Sequence, residues 1–251
     1  MRAVVASMCL PSAIGLNPSG YAAEDRCFVE EHRPLEAGAV LLRSEESVVL
    51  LVSLDTLYVG KDLQNHIQEG LADLLRPDQI FLSATHTHNA PHVERDKATL
   101  GRLSDRYLRA LSEEILVFLR GVARGDGEEV ELWVGTGRHR QGVRRRRLEP
   151  TFSGPLIKMG PSRLPNSRLP HSHIQIRRPG DRGVLAHIWS SPVHATSFYK
   201  RLALSPDFPG EIRSKLRNQI GPDLTVLFLQ GFSGDYRPRS PIRKLSWGRK
   251  R

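Results

Sequence analysis

Apolar residues fall in short, punctuated runs along the first third of the chain. Residues 40–42 and 48–54 are rich in valine and leucine, and Ser44-Glu45-Glu46-Ser47 separates them, which predicts a buried hairpin. Leu63, Ile67, Leu71, Leu74 and Leu75 then recur at helical spacing, with Pro77 just beyond as a stop. The strand pattern resumes at Ile80-Phe81-Leu82. Strand, helix, strand in that order is a crossover unit, so residues 48–54 and 80–84 are expected to lie parallel in one sheet. Residues 1–10 carry one arginine and a short apolar stretch without a small-residue cleavage site, and read as a first strand rather than a signal peptide.

A second helix is expected over Tyr107, Leu108, Leu111, Ile115, Leu116 and Leu119, followed by an alternating strand at residues 130–134. Residues 135–170 are rich in Gly, Pro, Ser and Arg and show no element of length; such a stretch inside a domain is either functional or disordered. Strands at 173–176 and 184–189, a helix at 211–218 and an apolar strand at 224–229 complete the pattern. No repeat or linker interrupts it. The expected fold is a single α/β domain over residues 1–238, with a mixed, largely parallel sheet flanked by helices, and a frayed basic tail at 239–251.

The chain has 251 residues, 39% of them hydrophobic and 25% charged, enough for one large domain with a core. No run approaches the roughly 20 apolar residues of a membrane helix. Cys9 and Cys27 make no disulfide framework, which agrees with a reducing, cytoplasmic setting. The net charge of +10 is unevenly divided: residues 1–137 hold 13 Lys/Arg against 21 Asp/Glu, and residues 138–251 hold 24 against 6. Arg138, Arg140 and Arg144 to Arg147 crowd into ten positions. The plain reading of that run is a solvated face; the functional one is a grip on phosphates or on an acidic substrate or partner.

The strongest local signal is Ser83-Ala84-Thr85-His86-Thr87-His88-Asn89-Ala90-Pro91-His92, where a parallel strand is expected to run out into a loop. Ligands bind at such strand ends in α/β sheets. His86 and His88, two apart, project to the same side of extended backbone. They can share one metal, or one can bind metal while the other hydrogen-bonds a substrate oxygen. Taken alone, His-x-His is more often a pair of ordinary loop histidines. His194, again just after an apolar strand, raises the odds of a site. Gly231 and Gly234 permit a tight turn that presents Asp235 at the same edge, although Asp235 serves a turn cap equally well. His171, His173 and His187 are assigned to strand faces, and Asp207 to a helix cap or a support behind the site.

Together these motifs resemble the neutral/alkaline non-lysosomal ceramidases and their bacterial relatives. The Thr85-His86-Thr87-His88 string, an arginine-rich stretch, His194 after a strand, Ser205-Pro206-Asp207-Phe208-Pro209-Gly210 before a helix, and Gly234-Asp235 occur in that family's order, from about residue 15 to 239. Pro34-Leu35-Glu36-Ala37 and Ser53-Leu54-Asp55 also fit. The resemblance implies a zinc (Zn2+) dependent amide hydrolase. His86 and His194 would be metal ligands and His88 would face the substrate carbonyl. Arg145 or Arg146, matching the family's Asn-Arg-Arg, would assist it.

The chain departs from the family pattern in three places. The remaining zinc ligands, a Glu and a Tyr, would fall beyond Arg251, leaving Asp55, Asp207, Tyr199, Tyr236 or, as the first choice, Asp235 to replace them. Arg237 stands where the ceramidases carry a serine after Gly-Asp-Val, and an arginine replaces the Asn of Asn-Arg-Arg. No apolar groove for a long-chain lipid is visible in the sequence. The expected substrate is therefore a small amide or N-acyl compound, lipid or anionic, with the arginine cluster favouring an anionic group. The competing reading is a non-catalytic module that binds an anionic ligand or, less favoured, nucleic acid through the basic half.

Overall fold

The computed structural model describes residues 1–20, 26–160, 168–181, 183–198 and 200–239. Its principal elements in chain order are β1 (Arg2–Cys9), β2 (Glu36–Arg43), β3 (Val48–Leu54), α1 (Lys61–Gly70), β4 (Ile80–Ala84), α2 (Asp105–Arg124), β5 (Glu131–His139), β6 (Leu169–Arg177), β7 (Val184–Ser191), α3 (Asp207–Ile220) and β8 (Thr225–Gln230). One sheet runs β4-β3-β2-β1 and is extended by a short strand at Glu128–Glu129; the other runs β8-β7-β6-β5.

The first sheet is apolar on both faces, and its residue parity sorts them. Ala37, Ala39 and Leu41 of β2 and Leu50, Val52 and Leu54 of β3 pack with Leu63 and Ile67 of α1 and with Leu111, Ile115 and Leu119 of α2. Val40 of β2, with Leu42 and Leu51, faces Ile176, Ile188 and Leu227 of the second sheet. Ser53 Oγ donates to the Phe228 carbonyl at 2.7 Å, stitching the two sheets. Gly38 keeps this junction close, since a Cβ there would meet Leu227 Cδ1 at 3.0 Å and oblige it to shift.

The parallel pairing of β3 with β4 is found as expected. The sheet is not largely parallel, however. Each sheet has one parallel pair, β3/β4 and β7/β8, and the rest of its pairings are antiparallel. Short connections such as Ser44–Ser47 allow only antiparallel neighbours, and β1 adds antiparallel to the far side of the β2–β3 hairpin. The fold is mixed α/β, with α1 and α2 on one outer side and α3 near the other sheet.

Residues 135–170 also differ from expectation. β5 continues to His139, Gly142–Arg144 pairs with Tyr236–Pro238, and Arg146–Thr151 forms a hairpin with Gly154–Met159. Its alternation of arginine with proline and single apolar residues hid an exposed two-stranded ribbon, which packs against no core and so needs no hydrophobic face. The helix expected at 211–218 begins earlier, at Asp207, and the tail from residue 240 onward lies outside the described residues.

Candidate metal centre

His86 follows β4 by two residues, and its backbone sits in the left-handed region at φ 63°. That conformation is costly for a residue with a side chain and persists only where neighbours fix it. Here the His86 amide donates to the Thr56 carbonyl at 3.0 Å, and its ring Nδ1 donates to the Leu57 carbonyl at 2.8 Å. Both carbonyls belong to the loop leaving β3, so the parallel β3/β4 pair places the imidazole. With the proton fixed on Nδ1, Nε2 presents its lone pair. The loop after β3 is itself anchored by Asp55, fully buried, which accepts from Arg213 of α3 at 2.7 Å and from the Glu36 amide at 2.9 Å.

Thr87 and Asn89 tie the other side of this loop. Thr87 Oγ1 donates to the Ser205 carbonyl at 2.7 Å, and Asn89 Nδ2 donates to the carbonyls of Lys200 and Ala203. Between them His88 turns inward against Gly20, where a Cβ would come within 2.3 Å of His88 Nδ1. Gly20, with φ 84°, is therefore needed both for its backbone and for the space it leaves. Sequence reasoning missed Gly20, Thr87 and Asn89 as site residues. Gly20 gives no local signal, since its role comes from a ring distant in sequence.

His194 lies three residues past β7, and its amide donates to the Tyr236 carbonyl at 3.1 Å. The three histidines meet: one nitrogen of each of His86, His88 and His194 lies within 4.8 Å of the others, and His88 Nε2 is 3.0 Å from His194 Nε2. Burial pushes all three imidazoles below the usual histidine pKa, His88 to about 4 and His194 to about 3. Repulsion from His86 adds to this at His88 and His194, and the Arg145 guanidinium lowers all three. Neutral imidazoles are the state a cation requires, and three ring nitrogens this close fit a metal such as zinc once the proton shared between His88 and His194 is displaced.

The other expected residues separate. Arg145 is half-buried, with its Nε donating to the Gly234 carbonyl at 2.9 Å, and it is the arginine felt by the histidines. Arg146 is exposed and pairs with Asp235 at 3.5 Å. The Asp235 carboxylate thus faces Arg146 and stands outside the three-histidine group, which draws its third nitrogen from His88. Asp55 is held by Arg213, while Asp207, the first residue of α3, accepts from Ser197, Phe198 and Phe208. Tyr199 lies outside the described residues.

Two mixed sheets packed face to face, with a histidine group on the loops leaving β4 and β7, define the class of fold. It is similar to that of the neutral ceramidase from Pseudomonas aeruginosa, with a TM-score of 0.77 and 15% identity over 96% of this chain and 41% of that one. A structure described as ceramidase complexed with C2 gives a TM-score of 0.76 and 16% identity over 94% of this chain and 38% of that one. The chain spans about two fifths of the length of these structures. No family model and no curated protein matches the sequence. At such identities the likeness is one of fold, and it agrees with the ceramidase resemblance read from the motifs.

Proposed function

We propose that the chain carries the metal centre of a zinc-dependent hydrolase acting on an amide (N-acyl) bond. The observation that carries this reading is the convergence of His86, His88 and His194 on a fold shared with neutral ceramidase. Three neutral nitrogen donors with a further position open to substrate are a common catalytic zinc set. Zinc held there supplies a Lewis acid that polarises a carbonyl and lowers the pKa of water. The chain's own residues orient and neutralise. Leu57 and Thr56 hold His86 in one tautomer and one rotamer, and Arg145 offers a fixed positive charge to the oxygen on which negative charge develops. Arg145 is favoured for this role over Arg146 because it is half-buried and lowers the pKa of all three imidazoles, whereas Arg146 is exposed.

Sequence reasoning set His88 against the carbonyl oxygen; its 3.0 Å approach to His194 favours the part of third donor. The binding-module reading gains nothing from the arginine hairpin, where Glu149 already pairs with both Arg147 and Lys158.

Elemental analysis of the purified chain, beside His86→Ala and His88→Ala, tests the proposal. About one zinc per chain, lost in both variants, is expected. Absence of metal after incubation with zinc would refute it. Zinc retained in His88→Ala with turnover slowed about a hundredfold would return His88 to the carbonyl.

A further inference from the structure

Behind the segment that carries His194, the outer face of the second sheet and α3 enclose a cavity of about 680 Å³. The apolar groove not visible in the sequence is present here. Trp189, Val193, Phe208, Ile212 and Pro238 give it apolar walls. Its floor is a fixed aromatic group, with the Trp189 ring 4.4 Å from that of Phe228 and 6.1 Å from that of Phe208. None of His86, His88 and His194 lines it.

The charged groups at its mouth are unequal. Glu211 and Lys215 stand one turn apart on α3 and both border the cavity. The Glu211 carboxylate is already occupied by Arg33 at 2.8 Å and His32 at 3.0 Å. Lys215 is exposed and has no ion pair among the described residues. His139, also on the wall, spends its Nε2 on Ser191 Oγ at 3.1 Å. The mouth therefore offers one uncompensated positive charge above an apolar chamber.

We propose that this cavity is a second binding site, separate from the histidine group, for an apolar monoanion: a carboxylate borne on a hydrocarbon chain or ring. The tail lies against Trp189, Phe208 and Ile212, and the head meets Lys215. The cavity's size falls within the roughly 300–1,000 Å³ of small-ligand sites; Gln141, His171 and Ser197 add neutral polar groups to its wall, and Lys215 is its cation without an ion pair among the described residues. The inference stands whether or not the three histidines take metal.

Isothermal titration of the full chain with dodecanoate below its micelle concentration tests it. Saturable one-site binding is expected. Ile212→Trp, which pushes a bulky ring into the chamber, should weaken it by about tenfold or more. Lys215→Glu, a change at an exposed position that leaves the fold alone, should weaken dodecanoate by about tenfold and admit dodecyltrimethylammonium instead. His86→Ala should bind dodecanoate as the unaltered chain does. Absence of saturable binding, or an affinity unmoved by Lys215→Glu, would overturn the proposal. Loss of binding in His86→Ala would do the same, by placing the probe at the histidine group.

Discussion

The two sheets share an interior but meet the rest of the molecule differently. In the first, the central strands are sealed on both faces: Ala37, Ala39, Val40 and Leu41, on alternating faces of β2, are all 0% exposed, and only toward the edges does a side chain such as Phe81 of β4 reach 52%. In the second, Ile176, Ile188 and Leu227 seal the middle of the inner face, but the edge strand β5 is open on both faces, with Trp133 53% and Val134 72% exposed. The outer face carries a row of imidazoles instead. His171 and His173 lie over Gly137 and Gly135 of β5, where a Cβ would come within 2.4 Å and 2.2 Å of their rings. The sealed sheet supplies rigid loop carbonyls that hold one histidine in a strained backbone, while the open sheet supplies the walls of a cavity. Precision and accessibility come from different layers.

Removing an anchor of the sealed side should have the largest effect. Asp55→Ala leaves the Arg213 guanidinium buried with only Glu36, 3.3 Å away, and should cost about 3 kcal/mol of stability in a denaturant titration. Because Asp55 steadies the loop whose carbonyls hold His86, metal retention should fall as well. Unchanged stability would show that the loop does not depend on α3.

Acid should have a smaller effect. His88 has a folded pKa of about 4 against an ordinary value of 6.5, so between these values the unfolded chain binds more protons. The stability of the metal-stripped protein should therefore rise with pH across this window and fall on acidification, by about 1.5 kcal/mol between pH 6.5 and 5 from this group. Thermal melts at the two pH values check the sign, and a His88→Ala chain with an equally steep dependence would assign it elsewhere. Smallest of all, Trp133→Ala on the open face, which removes a stacking contact with Arg177 at 4.5 Å, should change stability by about 0.5 kcal/mol or less. A loss near that of Asp55→Ala would mean that the outer face is not open in solution.

Much of the sealed side was legible in the sequence. The β2–β3 hairpin, α1, β4 and α2 follow from periodicity, since a layer buried on both faces must be apolar at both parities. The open side was harder to read. Its hairpin at residues 146–159 buries no core, and so leaves no hydrophobic alternation to find. The histidines were legible as positions, at the ends of two apolar runs. Their company was not: Gly20 beneath His88, and the Leu57 carbonyl on His86, belong to segments with no chemical signature of their own.

The sequence by itself determined the elements that bury a core, the crossover that makes β3 and β4 parallel, and the histidines available to a site. These depend on local spacing, and local spacing is written in the chain. Only the tertiary structure decided that each sheet would be mostly antiparallel, and that His88 rather than Asp235 would stand with His86 and His194. It also left Arg145 half-buried, bonded to the Gly234 carbonyl, and Arg146 exposed beside Asp235. Arg145 is the break between the strands Gly142–Arg144 and Arg146–Thr151, so which arginine of the run turns inward is settled by the tertiary contacts of that break, the Gly234 and Asp235 carbonyls, and not by local spacing.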